Sequence, residues 1–71
     1  MNLLFFTHID GSMIAVNPEA IIMIETGEMY LGGKDYKKDL YTAICTAGSV
    51  IRVKESFDSV VQALNAWRKK A

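Results

Sequence analysis

The 71-residue sequence has very few of the residues that cross-link small domains. It has one cysteine, Cys45, so no disulfide can form within the chain, and one histidine, His8. Neither residue has a partner at the spacing of a zinc site. We expect one domain, residues 1–71, whose core supplies only about 3–5 kcal/mol of net stability. Association of subunits is the means of stabilisation that remains, and we predict no metal site and no cofactor.

Basic residues are absent from the first part of the chain. Residues 1–31 carry four acidic side chains and no lysine or arginine, whereas residues 34–70 carry all eight basic side chains and four acidic ones. Such polarity can steer self-association or a partner. The net charge of zero argues against a nucleic-acid partner, because proteins that bind nucleic acid usually carry an excess of positive charge.

Long apolar runs are also missing. No stretch approaches the about 20 residues that a membrane-spanning helix needs, and the N-terminus lacks the basic start and cleavage site of a secretory signal. A single free cysteine suits a reducing compartment. We therefore expect a cytoplasmic protein without membrane insertion.

The sequence does contain a series of strand-like segments followed by one amphipathic helix. Asp10-Gly11 between apolar runs is a strong hairpin signal, and Asn17-Pro18 breaks the following strand. Ser56 suits a helix N-cap, because an apolar stripe at steps of three and four follows it. The predicted strands are about residues 2–9, 12–16, 20–26, 40–46 and 49–54, and the predicted helix is about residues 56–70.

This order, β-β-β-β-β-α, predicts an α+β fold. We expect a small antiparallel five-stranded sheet with the C-terminal helix packed on one of its faces. The alternative is a sheet that curls towards a barrel. Residues 27–39 contain Gly32-Gly33 and a run of charged side chains, so we predict a long loop or a flared hairpin tip there.

Two of the predicted strands are apolar on both faces, whereas a half-solvated antiparallel strand should alternate. A contiguous exposed apolar patch usually marks an interface. We therefore predict a homo-oligomer that forms through the uncovered sheet face or through a sheet edge. A barrel that buries both sets of side chains is the alternative. The residues that we predict for this interface are Leu4, Phe6, Ile22 and Ile24.

Several short motifs of the chain resemble the FlbD/SwrD-like family. They are Ile9-Asp10-Gly11, Ile14-Ala15-Val16-Asn17-Pro18-Glu19-Ala20-Ile21, Ile24-Glu25, and Val53-Lys54-Glu55-Ser56 with Val60. Members of that family are small bacterial proteins encoded among flagellar genes, with relatives in phages. The resemblance implies an intracellular accessory protein that acts by binding, without a catalytic residue or a cofactor. The family closes its third and fourth strands with a short turn, and residues 27–39 are a longer insertion here.

The inserted segment is the candidate ligand site. Glycines let backbone N–H groups approach a ligand, lysines neutralise phosphate, and tyrosines stack on bases. The alternative, which we favour, is a solvated hairpin tip whose lysines protect a sheet edge. The candidate residues for a small phosphate-bearing ligand are Tyr30, Gly32, Gly33, Lys34, Tyr36, Lys37, Lys38 and Arg52.

The sequence predicts a binding protein rather than an enzyme. No nucleophile or second titratable group accompanies His8, and we expect Cys45 to behave as a small buried hydrophobe. One possible function is an interaction module that binds itself and a bacterial protein, as the flagellar relatives suggest. Another is a phage-encoded oligomer that sequesters a nucleotide-type signal in pockets between subunits. Weak nucleic-acid binding ranks third.

Overall fold

The computed structural model describes residues 3–31 and 37–70, with the backbone alone for residues 29–31, 37 and 38. Within these residues the chain forms five strands and one α-helix, which confirms the α+β class. The elements are β1 (Leu4–Thr7), β2 (Met13–Val16), a 3-10 turn (Pro18–Ala20), β3 (Ile21–Leu31), β4 (Lys37–Thr46), β5 (Val50–Val53) and α1 (Phe57–Lys70).

The strands form two sheets rather than the single five-stranded sheet that the sequence predicts. One sheet pairs β1 with β2, the other has the order β3-β4-β5, and every pairing is antiparallel. The two sheets touch where β1 ends. There the Lys54 N–H donates to the Thr7 carbonyl at 2.8 Å, and His8 forms an isolated bridge with Val53. Only an isolated bridge links the two sheets here, so no continuous ladder joins them. The sheets do not close into a barrel.

The Asp10-Gly11 turn joins β1 to β2 as predicted. The Gly11 N–H donates to the His8 carbonyl at 2.8 Å, and Gly11 has a φ of 97°, which favours glycine. The hydroxyl and the N–H of Ser12 both donate to Oδ1 of Asp10, at 2.6 and 2.8 Å. These two hydrogen bonds hold the pKa of the Asp10 carboxyl below its ordinary value, and the bond from the Ser12 hydroxyl has the larger effect.

A β-bulge at Ile22 changes which side of β3 faces the core. The register advances by two residues on β3, from Ile21 to Met23, while it advances by one residue on β4. The extra residue places both Ile21 and Ile24 against the core, and it leaves Ile22 70% and Met23 50% exposed. The strict alternation assumed from the sequence, which groups Ile22 with Ile24, is therefore wrong for this strand.

β3 and β4 form a longer hairpin than the sequence predicts. Gly27 pairs with Tyr41, and the ladder continues until Leu31 lies opposite Lys37. Of the two alternatives for residues 27–39, the long loop is wrong at 27–31 and 37–39, which are strands of a hairpin, and residues 32–36 lie outside the described residues. A Cβ at Gly27 would overlap the ring of Tyr41, so this glycine marks a close approach between neighbouring strands rather than a turn.

The core lies where the two sheets meet the helix. Among the described residues, its buried cluster takes one side chain from each of four strands and one from the helix. Partly buried apolar side chains of β1, β2, β3, β5 and α1 surround this cluster. Every element except the 3-10 turn therefore contributes to one shared core. The buried cluster consists of Phe6, Val16, Ile44, Val53 and Val60.

The segment between β5 and α1 connects the helix to both sheets. The Glu55 carboxylate accepts the Thr7 N–H through both oxygens, at 2.8 and 2.9 Å, and the Glu55 carbonyl accepts the Thr42 hydroxyl at 2.6 Å. Ser56 then caps the helix, because its Oγ accepts the Ser59 N–H at 3.2 Å. The predicted N-cap is confirmed, and the helix begins within one residue of the predicted position.

Candidate interaction surfaces

Of the residues predicted to bind a ligand, Arg52 is the one whose side chain the structure describes, and the backbone alone is described for Tyr30, Lys37 and Lys38. Tyr30 and Lys38 are ladder partners on the β3–β4 hairpin, and Lys37 begins β4. Arg52 is exposed on β5, and its guanidinium carbon lies 5.5 Å from the centre of the Tyr41 ring. The predicted residues that lie outside the described part are Gly32, Gly33, Lys34 and Tyr36.

The four residues predicted for the oligomer interface do not share an exposed face. Phe6 belongs to the buried core, and Leu4 and Ile24 pack against it. Ile22 is the member of this set that lies on the surface, because the bulge turns it away from the core. The large apolar side chains that the described sheets do expose are Phe5, Met13, Ile22, Met23, Leu40 and Val50.

One side of the three-stranded sheet faces away from the core, and we call it the outer face. Residues that pair directly project to the same side of a sheet, so the register gives the rows of side chains on this face. Two rows cross all three strands, and the rows from Gly27 onward cross β3 and β4 alone. The rows nearest the bulge are Met23-Cys45-Val50, Glu25-Ala43-Arg52 and Gly27-Tyr41.

The first row of the outer face is apolar. Met23 is 50% exposed on β3 and Val50 is 61% exposed on β5, whereas Cys45 between them is buried. Ala43, the next outward residue along β4, is also buried. The central strand therefore carries small residues on this face, and the larger exposed side chains lie on β3 and β5.

The second row carries opposite charges on its two outer strands. Glu25 and Arg52 both pair with Ala43, so their backbones lie about 10 Å apart, twice the spacing of neighbouring strands. Both side chains are described, and no ion pair joins them within one molecule. Glu25 instead accepts the Cys45 thiol at 3.6 Å, and Arg52 lies over the Tyr41 ring. The row therefore presents a negative end and a positive end to the outside.

Cys45 lies in the apolar row, and its chemistry follows from that position. Burial raises the pKa of the Cys45 thiol above its ordinary value, and the hydrogen bond to the Glu25 carboxylate raises it further. Because the thiolate is the reactive form, the folded protein should react with a disulfide reagent at about pH 8 more slowly than the unfolded chain. The rate for the folded protein should rise only at a higher pH than the rate for the unfolded chain. Equal rates before and after unfolding in guanidinium would show that Cys45 is accessible.

Two apolar grooves run along the C-terminal half of α1, and Trp67 lines both of them. The larger groove, about 680 Å³, lies between the helix and the start of β1. The smaller groove, about 160 Å³, lies between the helix and the bulged start of β3. A basic residue lines each groove, Lys70 in the larger and Arg68 in the smaller. The larger groove is also lined by Leu3, Leu4, Phe5, Ala63 and Ala66.

Other chemical features of the described residues are modest. His8 is half-buried in the first turn, where its Nδ1 accepts the Asp10 N–H at 3.2 Å. No group of three or more His, Cys, Asp or Glu side chains in the described ranges could hold a metal ion. Within the described residues, helix α1 is not long enough or apolar enough to cross a membrane.

Comparison with known proteins found no relative of this chain. No family model matches it, and no curated protein or solved structure matches it at a significant level. The resemblance to the FlbD/SwrD-like family stays a prediction from the short motifs. The outer face and the grooves beside Trp67 are therefore the features from which a function can be proposed.

Proposed function

We propose that this protein is a non-catalytic interaction module of the bacterial cytoplasm, and that it forms a homodimer through the outer face. The observation that supports the proposal is the exposed pair Met23 and Val50 on a sheet face that the helix does not cover. An exposed apolar patch on a sheet usually marks an interface, and association stabilises a fold with a small core. The motifs similar to the FlbD/SwrD-like family support an accessory role that depends on binding.

A two-fold axis parallel to β4 makes the outer face complementary to itself. Rotation about this axis brings β3 of one subunit opposite β5 of the other. Met23 then faces Val50 of the partner subunit, and Glu25 faces Arg52 of the partner subunit. An axis in the plane of the face and perpendicular to the strands would bring β3 opposite β3 of the partner subunit, so Glu25 could not meet Arg52 of the partner subunit. If that axis passed through this row, Glu25 would face Glu25 of the partner subunit, and like charges repel. Charge therefore favours the axis along β4.

The size of the outer face sets the expected affinity. Where all three strands lie side by side, the face is three strands wide and four residues long, the length of β5, and it covers roughly 14 Å by 14 Å. This area is well below the about 800 Å² per partner of a standard interface. We therefore expect a dimer with a dissociation constant in the micromolar range, which dissociates on dilution.

Reversing the charges of the second row tests this arrangement. In Glu25→Arg, an arginine faces Arg52 of the partner subunit, and in Arg52→Glu, a glutamate faces Glu25 of the partner subunit. Each dimer contains two such contacts at about 1 kcal/mol each, so each single variant should raise the dissociation constant by about 30-fold. The double variant restores opposite charges, and its dissociation constant should return to within a few fold of that of the unmodified protein.

Sedimentation velocity over a dilution series measures these constants. Glu19→Arg is the matched control, because Glu19 is exposed in the 3-10 turn and outside the outer face. It should leave the dissociation constant unchanged. If both single reversals leave the constant unchanged, or if the double variant dissociates as easily as the singles, the two subunits do not meet through this row.

Ligand sequestration is the second candidate, and the arrangement of Arg52 and Tyr41 favours it. A guanidinium held over an exposed part of a sheet can bind phosphate, and a tyrosine ring beside it can stack on a base. In the proposed dimer both side chains lie on the interface. Native mass spectrometry of protein purified from its host tests this function. A retained small ligand that is lost in Tyr41→Leu would support sequestration, and a dimer without added mass would contradict it.

A further inference from the structure

The end of α1 combines exposed apolar side chains with a cluster of positive charge. Leu3 and Phe5 line the larger groove together with Trp67, and Phe5 is 63% exposed. The helical residues of that groove are spaced at three, four and seven, so they form one stripe that faces β1. We call this region, with Arg68, Lys69 and Lys70, the helix-end surface.

The positive charges of the helix-end surface come from three consecutive residues. Arg68, Lys69 and Lys70 are all exposed in the last turn of α1. No aspartate or glutamate is among the described residues that line either groove. The helix dipole accounts for cations at this end. It does not account for the exposed Leu3 and Phe5 beside them.

We propose that the helix-end surface docks on an anionic lipid bilayer. Tryptophan and phenylalanine suit the boundary between headgroups and acyl chains, and nearby lysine and arginine side chains are attracted to anionic headgroups. Successive residues on a helix point about 100° apart, so the three cations are spread around the helix end. This distribution fits an extended charged plane better than it fits one linear acidic peptide.

The proposed dimer would strengthen this docking, although the inference does not require it. Rotation about a two-fold axis parallel to β4 does not change how far along the β4 direction a residue lies. The helix end lies near the start of β3, which pairs with the end of β4. Both helix-end surfaces would therefore lie at the same end of the dimer, where one membrane can contact both.

The fluorescence of Trp67 provides a direct measurement, because the sequence has a single tryptophan. The protein is titrated with vesicles of phosphatidylglycerol and phosphatidylcholine, and with vesicles of phosphatidylcholine alone. We expect the emission to shift to shorter wavelength with the anionic vesicles only, and the shift to disappear at high salt. No shift with anionic vesicles, or an equal shift with both kinds, overturns the proposal.

Variants separate the charged and apolar parts of the contact, with vesicle sedimentation as the measurement. Lys69→Gln with Lys70→Gln should weaken binding by about 25-fold, because each cation contributes about fivefold. Lys54→Gln, an exposed cation on the Thr7 side of the fold, should have little effect. Phe5→Ser should weaken binding by about tenfold, and Met13→Ser, which is also exposed, should not.

Two further outcomes distinguish this proposal from the proposed dimer. Glu25→Arg, if it is monomeric, should still bind anionic vesicles through a single helix-end surface, and complete loss of binding would contradict the independence of the two surfaces. If Phe5→Ser leaves vesicle binding unchanged and instead alters the sedimentation of the free protein, the groove is a subunit interface and the membrane proposal is wrong.

Discussion

Replacing Ile44 with alanine should unfold much of the protein. Ile44 has 0% exposure and lies on the central strand of the three-stranded sheet, where it joins the buried cluster of both sheets and the helix. Removing an isoleucine side chain from a packed core costs about 2–5 kcal/mol. A core of this size leaves about 3–5 kcal/mol in total, so the loss is comparable to the whole stability. Circular dichroism during urea unfolding measures the change.

Ile22→Ala is the matched control for Ile44→Ala. It removes the same atoms from the neighbouring strand, but Ile22 is 70% exposed on the bulge. The free energy of unfolding should change by no more than about 0.5 kcal/mol, as for most surface substitutions. Equal losses in the two variants, at one protein concentration, would mean that Ile22 lies inside the fold and that the bulge is placed wrongly.

Replacing Glu55 with alanine should produce the second-largest loss of stability. The carboxylate of Glu55 accepts the Thr7 N–H through both oxygens, and this contact joins the end of β1 to the start of the helix. Removing it leaves a half-buried N–H without its partner and removes a hydrogen bond to a charged group, at a cost of about 1–3 kcal/mol. Glu55→Gln keeps an acceptor oxygen and should lose about half as much.

Amide hydrogen exchange at Thr7 identifies the cause of this loss. In Glu55→Ala the Thr7 N–H should exchange faster than in the unmodified protein, while amides in the centre of α1 keep most of their protection. Glu19→Ala is the control, because it removes a carboxylate from an exposed turn. Unchanged exchange at Thr7 in Glu55→Ala would show that the carboxylate does not hold β1.

Elements with local chemical signals could be predicted from the sequence. Asp10-Gly11 forms the first hairpin turn because the glycine takes a positive φ and the aspartate accepts bonds from Ser12. Ser56 caps the helix through a residue only three positions away. In both cases the partners are neighbours in the chain, so the residue types alone indicate the structure.

The face of β3 could not be predicted in this way. Four consecutive apolar residues, 21–24, contain no polar side chain that marks the phase of the strand. The bulge at Ile22 depends on how β3 pairs with β4, and that register is a non-local property. The predicted interface residues therefore belong partly to the core, and the predicted set lacks Met23 and Val50.

Gly27 illustrates the same limit in the hairpin. Gly32-Gly33 and the charged run after them are typical of a loop, and the sequence offers no sign that Tyr41 covers Gly27 from the next strand. The rows of the outer face likewise depend on the register of three strands. Alternation along β5 indicates that Val50 and Arg52 share a face, but not that Glu25 and Met23 lie on it too.

Sedimentation equilibrium of the unmodified protein tests the central claim most directly, namely that the outer face joins two subunits. We expect twice the mass of one chain at about 100 micromolar and the mass of one chain at nanomolar concentrations, with the protein folded throughout. A folded protein that keeps the mass of one chain up to about 100 micromolar would contradict the claim.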